Sequence, residues 1–287
     1  MNYFAPDQAM LFGSVTAGMR PTSVTGMVRV CALNIGGPSR ARAHNLERWL
    51  LDRGDDILIL SELTAGDGCR ELLTCLRAEN YTVISGRPGP DGDRYFAAIA
   101  IRGQMPVTVV PTDGLGSRIA AVDVGIGPHP LRVVAMYAPT NGMTINSSHR
   151  RDTFRRQAIG YLHRIAARTM IVAGDLNVVE PDHLPRLPQF EPHDYRFYTD
   201  LIALGLRDAY RELHPDRVEH SWYSSRFGDQ RIDHTFLGPD VGVVVECGYD
   251  HSTRSLGLSD HAAMATTLSI RTAAVPPARA HAMQPSR

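Results

Sequence analysis

From about Val28 to residue 270 the chain alternates short apolar β-like runs with amphipathic helical stretches, and this alternation limits the fold more than any other feature. Residues 28–33 (VRVCAL) suit a strand, 43–52 carries helical spacing through Leu46, Trp49 and Leu50, and 57–60 (ILIL) suits a buried strand. Further strands are expected at 81–85, 95–101, 106–110, 118–124 and 131–137. Phe154, Ile159, Leu162 and Ile165 mark a helix over 150–167 that leads into a strand at 169–174. A Pro- and His-rich loop over 180–193, a helix from Tyr195 to about Leu204, and strands near 231–237, 241–246 and 261–269 complete the pattern. Mixed strands with helices outside predict an α/β fold of two stacked mixed β-sheets flanked by helices.

A chain of 287 residues exceeds the usual single-domain size, but two-sheet α/β folds reach it as one unit. One domain is therefore expected over 28–270, after a loose extension at 1–27 and before a disordered tail at 271–287 rich in Pro, Ala and Arg. Apolar runs such as 57–60 fall far short of the roughly 20 residues that cross a bilayer, so no membrane partner is expected. The first 27 residues lack the basic-then-apolar pattern of a secretory signal. Cys31, Cys69, Cys75 and Cys247 show no metal-binding spacing, which suits reduced thiols in a cytoplasmic protein, and separately a monomer is expected.

Thirty basic residues balance thirty acidic ones, so nucleic-acid binding would need local patches rather than a global field. There is no lysine, which excludes lysine Schiff-base chemistry and a Walker A site.

Residues 170–177 read MIVAGDLN, an apolar strand that breaks at Gly174 and delivers Asp175 and Asn177 to its carboxyl end. Side chains at i and i+2 of an extended segment share a face, so a carboxylate and a carboxamide project together from a sheet edge. The bland alternative is an ordinary Asp/Asn turn. Asn34 ends the first strand, Glu62 follows the second in ILILSEL, and Tyr137 ends VVAMYAPTN. Arg231, Asp233 and His234 come from RIDH; Ser259, Asp260 and His261 come from SDH. An Asp beside a His can fix its tautomer and stabilise its charged form. Taken singly, each of these residues also has a structural explanation.

Taken in order, Asn…Glu…Tyr-x-Pro…Gly-Asp-x-Asn…Arg-Ile-Asp…Ser-Asp-His resembles the endonuclease/exonuclease/phosphatase superfamily across residues 28–270. LNIGGPSRARAHNLERWL and LGLRDAYRELHP followed by HSW look most like its exonuclease III and abasic-site endonuclease branch. The resemblance implies a four-layer α/β sandwich and a metal-assisted attack on phosphorus. It assigns Asn34, Glu62 and Asp260 to the side of a Mg²⁺ or Mn²⁺ ion, as an all-oxygen site prefers. Asp175 would orient or deprotonate water, Asn177 would donate to the nucleophile or a phosphate oxygen, His261 paired with Asp233 would stabilise charge on phosphorus, and Tyr137 would help at the phosphate or leaving group. His234, whose side chain should alternate away from Asp233, is expected to be outward or structural.

A DNA phosphodiesterase would draw on Arg40 and Arg42 after Asn34 and on Arg150, Arg151, Arg155 and Arg156 after Tyr137. Arg231 is read as a phosphate contact or a brace, and Trp222 as a sugar-pocket wall or a core aromatic. The chain departs from the branch at Ser61-Glu62-Leu63-Thr64, where Gln-Glu followed by Lys is usual. It departs again at Tyr95-Phe96-Ala97-Ala98, where a small glycine-containing run is usual. These departures keep open a phosphatase or phosphodiesterase for a small phosphorylated metabolite or nucleotide, and, more remotely, a noncatalytic binding module.

Overall fold

A computed structural model of the chain describes residues 24–86, 93–112, 114–126, 129–140, 144–188 and 190–272. The extension expected at 1–27 lies outside the described residues up to residue 23, and the tail expected from Arg271 does so from residue 273. The first half runs β1 (Val24–Asn34), α1 (Arg40–Arg53), β2 (Ile57–Thr64), α2 (Asp67–Ala78), β3 (Tyr81–Ser85) and β4 (Tyr95–Arg102). The second runs β5 (Val107–Val109), β6 (Ile119–Val124), β7 (Leu131–Tyr137), α3 (Ile145–Arg164), β8 (Met170–Asp175), α4 (Arg196–Ala203), β9 (Arg207–Asp208), α5 (Ala209–Leu213) and β10 (Asp233–Leu237). The chain then returns to the first sheet through β11 (Val243–Asp250), α6 (Ser252–Ser255) and β12 (Ala263–Thr272).

Two six-stranded mixed sheets result, in the orders β11-β12-β1-β2-β4-β3 and β5-β6-β7-β8-β10-β9. Strand alternation assigns the layers. In β1, Val28, Val30 and Ala32 enter the core between the sheets, while Cys31 and Leu33 face α1 and α2. In β8, Ile171 and Ala173 enter the same inter-sheet core, while Met170 and Val172 face α3 and α4. Helices, sheet, sheet and helices therefore stack as four layers, with apolar burial at all three interfaces driving the assembly.

Most predicted elements appear within a few residues of their expected places, and the differences have local causes. β1 starts at Val24 rather than Val28, because the antiparallel ladder with β12 continues from Ala32↔Met264 out to Val24↔Thr272 regardless of side-chain pattern. α3 starts at Ile145, five residues early, where Thr144 and Ser147 form a reciprocal capping box that satisfies otherwise open backbone N–H groups. α2 was not expected. It buries Cys69, Leu72, Leu73 and Leu76 behind a Gly-Asp-Gly start that reads as a turn.

Candidate active site

β1 and β2 run parallel, as do β7 and β8, while β10 and β12 run against their neighbours. The carboxyl ends of four strands therefore meet the starts of two others at one end of the sandwich. Period-2 alternation then aims particular residues between the sheets. Asn34 follows Val30 and Ala32, Asp175 follows Ile171 and Ala173, Tyr137 follows Val133 and Ala135, and Asp233 shares its face with Leu237. Register completes the row in the second sheet, where Tyr137 lies beside Asp175 and Asp175 opposite Asp233.

Glu62 breaks this rule in a useful way. Ile57 and Ile59 point between the sheets and Leu58 and Leu60 point to the helices, so regular alternation would turn Glu62 toward the helices. The β2–β4 pairing shifts register between Leu60 and Leu63, and Glu62 takes φ of 57°. Leu63 thereby faces the helices and Glu62 is returned to the site. Gly174 is also obligatory: its φ is 133°, and a Cβ there would lie 2.1 Å from the Met136 carbonyl oxygen.

Three side-chain pairs cross from one sheet to the other. The Asn34 amide Nδ2 donates to Asp175 Oδ2 at 2.9 Å, and the Tyr137 hydroxyl donates to Glu62 Oε2 at 3.0 Å. His261 Nδ1 lies 2.7 Å from Asp233 Oδ2. Asn34 Nδ2 also donates to Glu62 Oε2 at 2.8 Å, which joins two of the pairs, and it lies 3.4 Å from His261 Nε2, which places the third beside them. The Asn34 side-chain oxygen Oδ1 accepts from the Gly36 N–H at 2.8 Å, which turns the amide nitrogen, not the oxygen, toward the carboxylates.

The network carries unusual proton affinities. Burial and the neighbouring Asp233 charge push the Asp175 carboxyl up to about 7, against the pull of His261. Burial disfavours charge on His261, but Asp233 outweighs it and raises the imidazole to about 10. His261 is therefore an imidazolium at neutral pH. Burial, with Asp175 and Glu62 nearby, holds the Tyr137 phenol well above its usual range, so it remains a donor.

The remaining predicted residues divide by position. Asn177, at φ 46°, donates Nδ2 to the Ala138 carbonyl at 2.9 Å, and its backbone N–H donates to Asp175 Oδ1 at 2.9 Å. Trp222 stands at the rim with its ring 6.5 Å from that of His261, and its Nε1 donates to Asp260 Oδ2 at 3.2 Å. Asp260 is exposed, close to Gly36. Arg150 is exposed on α3. Arg40 is exposed but pairs with Asp67 and Glu71 of α2.

Arg42 and Arg151, expected to touch substrate, serve as braces instead, and Arg231 takes the brace of its two expected roles. Arg231 has no exposed surface, and its guanidinium is held by Glu180 and Asp208. Arg42 donates to the carbonyls of Leu258 and Gly36, and Arg151 to Asp194 and to the Asn177 carbonyl. Each fixes backbone at the site's edge. Arg155 and Arg156, expected with them to grip phosphate, pair with Asp152, Arg155 also with Asp200. His234 is buried with Nε2 2.7 Å from the Val178 carbonyl, the structural one of its two expected roles.

Two supporting residues escaped the sequence reading. Ser259 donates to the Asn34 carbonyl at 2.5 Å and accepts from the His261 N–H at 3.0 Å. Arg118 lies 4.8 Å from the Tyr137 ring centroid and pairs with Asp93. The SDH motif contained a signal for Ser259, whereas Arg118 carries none.

A divalent cation fits the donor set. Both bonds to Glu62 use Oε2, leaving Oε1 outside the network, and Asp233 Oδ1 is buried without a partner. Among the described residues, Asp175, Asp233 and His261 form the one group of three His, Cys, Asp or Glu residues whose ligand atoms lie within 4.8 Å of one another, but the imidazolium of His261 has no lone pair to give, so the carboxylates are the donors. Glu62, Asp175, Asp233 and Asp260 bring four carboxyl groups to this end of the sandwich, hard oxygen donors of the kind a divalent cation takes.

The sequence model described as the Endonuclease/Exonuclease/phosphatase family matches residues 31–261. Among curated proteins, none matches the chain. An AP endonuclease from Archaeoglobus fulgidus superposes with a TM-score of 0.70 at 21% identity, over 84% of this chain and 99% of that one. A 3′ phosphatase, NExo, from Neisseria bound to product DNA hairpin gives 0.69 at 19% identity, over 83% and 98%. The AP endonuclease LMAP from Leishmania major gives 0.68 at 18% identity, over 85% and 88%.

Proposed function

The chain belongs to the endonuclease/exonuclease/phosphatase family, and from that we propose that it is a Mg²⁺- or Mn²⁺-dependent phosphoester hydrolase acting on DNA in the manner of exonuclease III and abasic-site endonucleases. The observation that carries this reading is the cross-sheet network, which sets a carboxyl raised to about 7 beside an imidazolium, a phenol donor and a free carboxylate oxygen.

In the proposed reaction a water oxygen bonds to phosphorus, the bond to the leaving oxygen breaks, and that oxygen takes up a proton. Asp175 accepts the proton of the attacking water; a base poised near neutral pH is suited to this. His261, kept charged by Asp233, stabilises the negative phosphoryl oxygens, and Tyr137 donates at the phosphate or leaving oxygen. Asn177 contributes its second amide N–H. Glu62 and Asp260 would hold the cation, while Asn34 orients the carboxylates. When bound, the cation offsets charge on the scissile phosphate.

The engaged arginines favour a second reading. Arg40, Arg42, Arg151, Arg155, Arg156 and Arg231 are all held by acids or carbonyls, leaving Arg150, exposed on α3, as the outward-facing candidate of this set for a phosphate backbone. A small phosphorylated metabolite or nucleotide would need fewer of them. The test is incubation with Mg²⁺ and duplex DNA bearing an abasic site, beside a panel of phosphomonoesters. Incision that weakens steeply with salt supports the DNA reading; phosphate release from small esters alone supports the second. Inactivity toward both refutes the hydrolase assignment.

A further inference from the structure

The Asp233–His261 pair joins residues of different sheets, so its geometry depends on whatever fixes the sheets relative to each other at this end. Ser221, fully buried in the segment before β10, touches both sides. Its hydroxyl oxygen accepts from the backbone N–H groups of Ile232 and Asp233, each at 3.1 Å. Its carbonyl accepts from the Ala262 N–H at 2.7 Å, and its own N–H donates to the Gln230 carbonyl at 3.1 Å. Next to it, Trp222 forms a β-bridge with His261. One residue therefore binds the backbone of Asp233 and the residue after His261.

We infer that Ser221 is a positioning residue: its hydroxyl sets the spacing between the two sheets at the site and thereby the approach of Asp233 to His261. The hydroxyl suits this position because only an acceptor can hold two converging N–H groups. Both belong to the two residues that enter β10, and Ser221 Oγ accepts from both at once. Removing it leaves two buried donors unsatisfied and frees the start of β10 to move. Displacements of about 1 Å in such a constellation lower turnover by up to about a hundredfold.

This inference rests on the proposed hydrolase reading only for its kinetic part. The experiment compares Ser221→Ala, Ser221→Cys and Ser221→Thr in the full chain. It measures turnover, KM and the low-field proton resonance of His261 Nδ1–H, which reports the bond to Asp233 directly. Ser221→Ala should lower kcat at least about tenfold with KM nearly unchanged, and should move or broaden that resonance. Ser221→Cys keeps the volume but offers a weak acceptor, so it should fall between, and Ser221→Thr should recover both signals. If the alanine variant does not fold, the cysteine variant decides on the same criteria. Parental kcat and resonance in the folded variant overturn the inference, as does a loss of kcat with the resonance unmoved. A parent inactive on every phosphoester refutes the hydrolase reading, while the resonance still decides the role of Ser221.

Discussion

Asp175 and Asp233 face each other in register across the antiparallel β8–β10 pair, two buried carboxylates with one imidazole, that of His261, close to both. His261 bonds Asp233 at 2.7 Å, while Asp175 receives only neutral donors, Asn34 Nδ2 and the Asn177 N–H. The environment thus separates two like groups into a stable ion pair and a carboxyl that gives up its proton reluctantly. Separated proton affinities of this kind are what acid–base chemistry near neutrality requires.

Asp175→Asn tests that separation. An acid whose pKa rises from 3.8 to about 7 on folding holds its proton more tightly in the folded state, so stability falls as pH climbs through that window. Without metal, the variant should melt above the parent at about pH 8 and match it near pH 4, as followed by calorimetry. Turnover should fall by about a thousandfold or more, and His261→Ala should show a similar loss with the fold retained. Melting no higher than the parent at alkaline pH would refute the raised proton affinity that burial and Asp233 give Asp175.

Glu62→Gln retains shape and the acceptor for Tyr137 and Asn34 while removing the charge. A cation that binds only the folded protein stabilises it by about 2.7 kcal/mol at a hundredfold excess over Kd. Thermal shifts with and without Mg²⁺ should show that gain in the parent and its loss in the variant. Turnover by the parent that survives exhaustive EDTA treatment would eliminate the metal role.

Asn34, Tyr137 and Asp175 were legible because each continues a strict alternation begun by residues two and four positions earlier. Glu62 was legible as a residue but not in its direction, since the bulge that turns it depends on pairing with β4. The partners of the arginines were not legible for a related reason. Arg151 meets Asp194 43 residues away and Arg231 meets Glu180 51 residues away, and a local run of positive charge carries no trace of distant acids. α2 was missed although Leu72, Leu73 and Leu76 lie at helical spacing, because its glycine-flanked start reads as a turn.

Arg231→Met distinguishes a brace from a substrate contact. Glu180 and Asp208 would lose their buried guanidinium, a change that costs about 3–5 kcal/mol when one partner of a buried pair is removed. Chemical denaturation should show that loss. The arginines hold Glu180 down at about 2 despite its burial, so this contribution is present above about pH 4.5 and disappears as pH falls toward 2. The parent's advantage over the variant should shrink across that window. A variant of parental stability with only KM raised would return Arg231 to the substrate.

Gly174→Ala addresses how β8 delivers Asp175. The added Cβ would lie 2.1 Å from the Met136 carbonyl oxygen, which belongs to backbone and cannot rotate away, and φ of 133° disfavours any L side chain. β7 and β8 must therefore separate where Tyr137 and Asp175 are paired. The expected cost exceeds about 4 kcal/mol, visible as a lowered denaturant midpoint or loss of soluble protein. Any folded fraction should be nearly inactive, because the separation displaces Asp175 from Asn34 and Tyr137 from Glu62 together. Parental stability in this variant would mean that β7 and β8 do not approach so closely, and with that the placement of Asp175 beside Asn34 would fail.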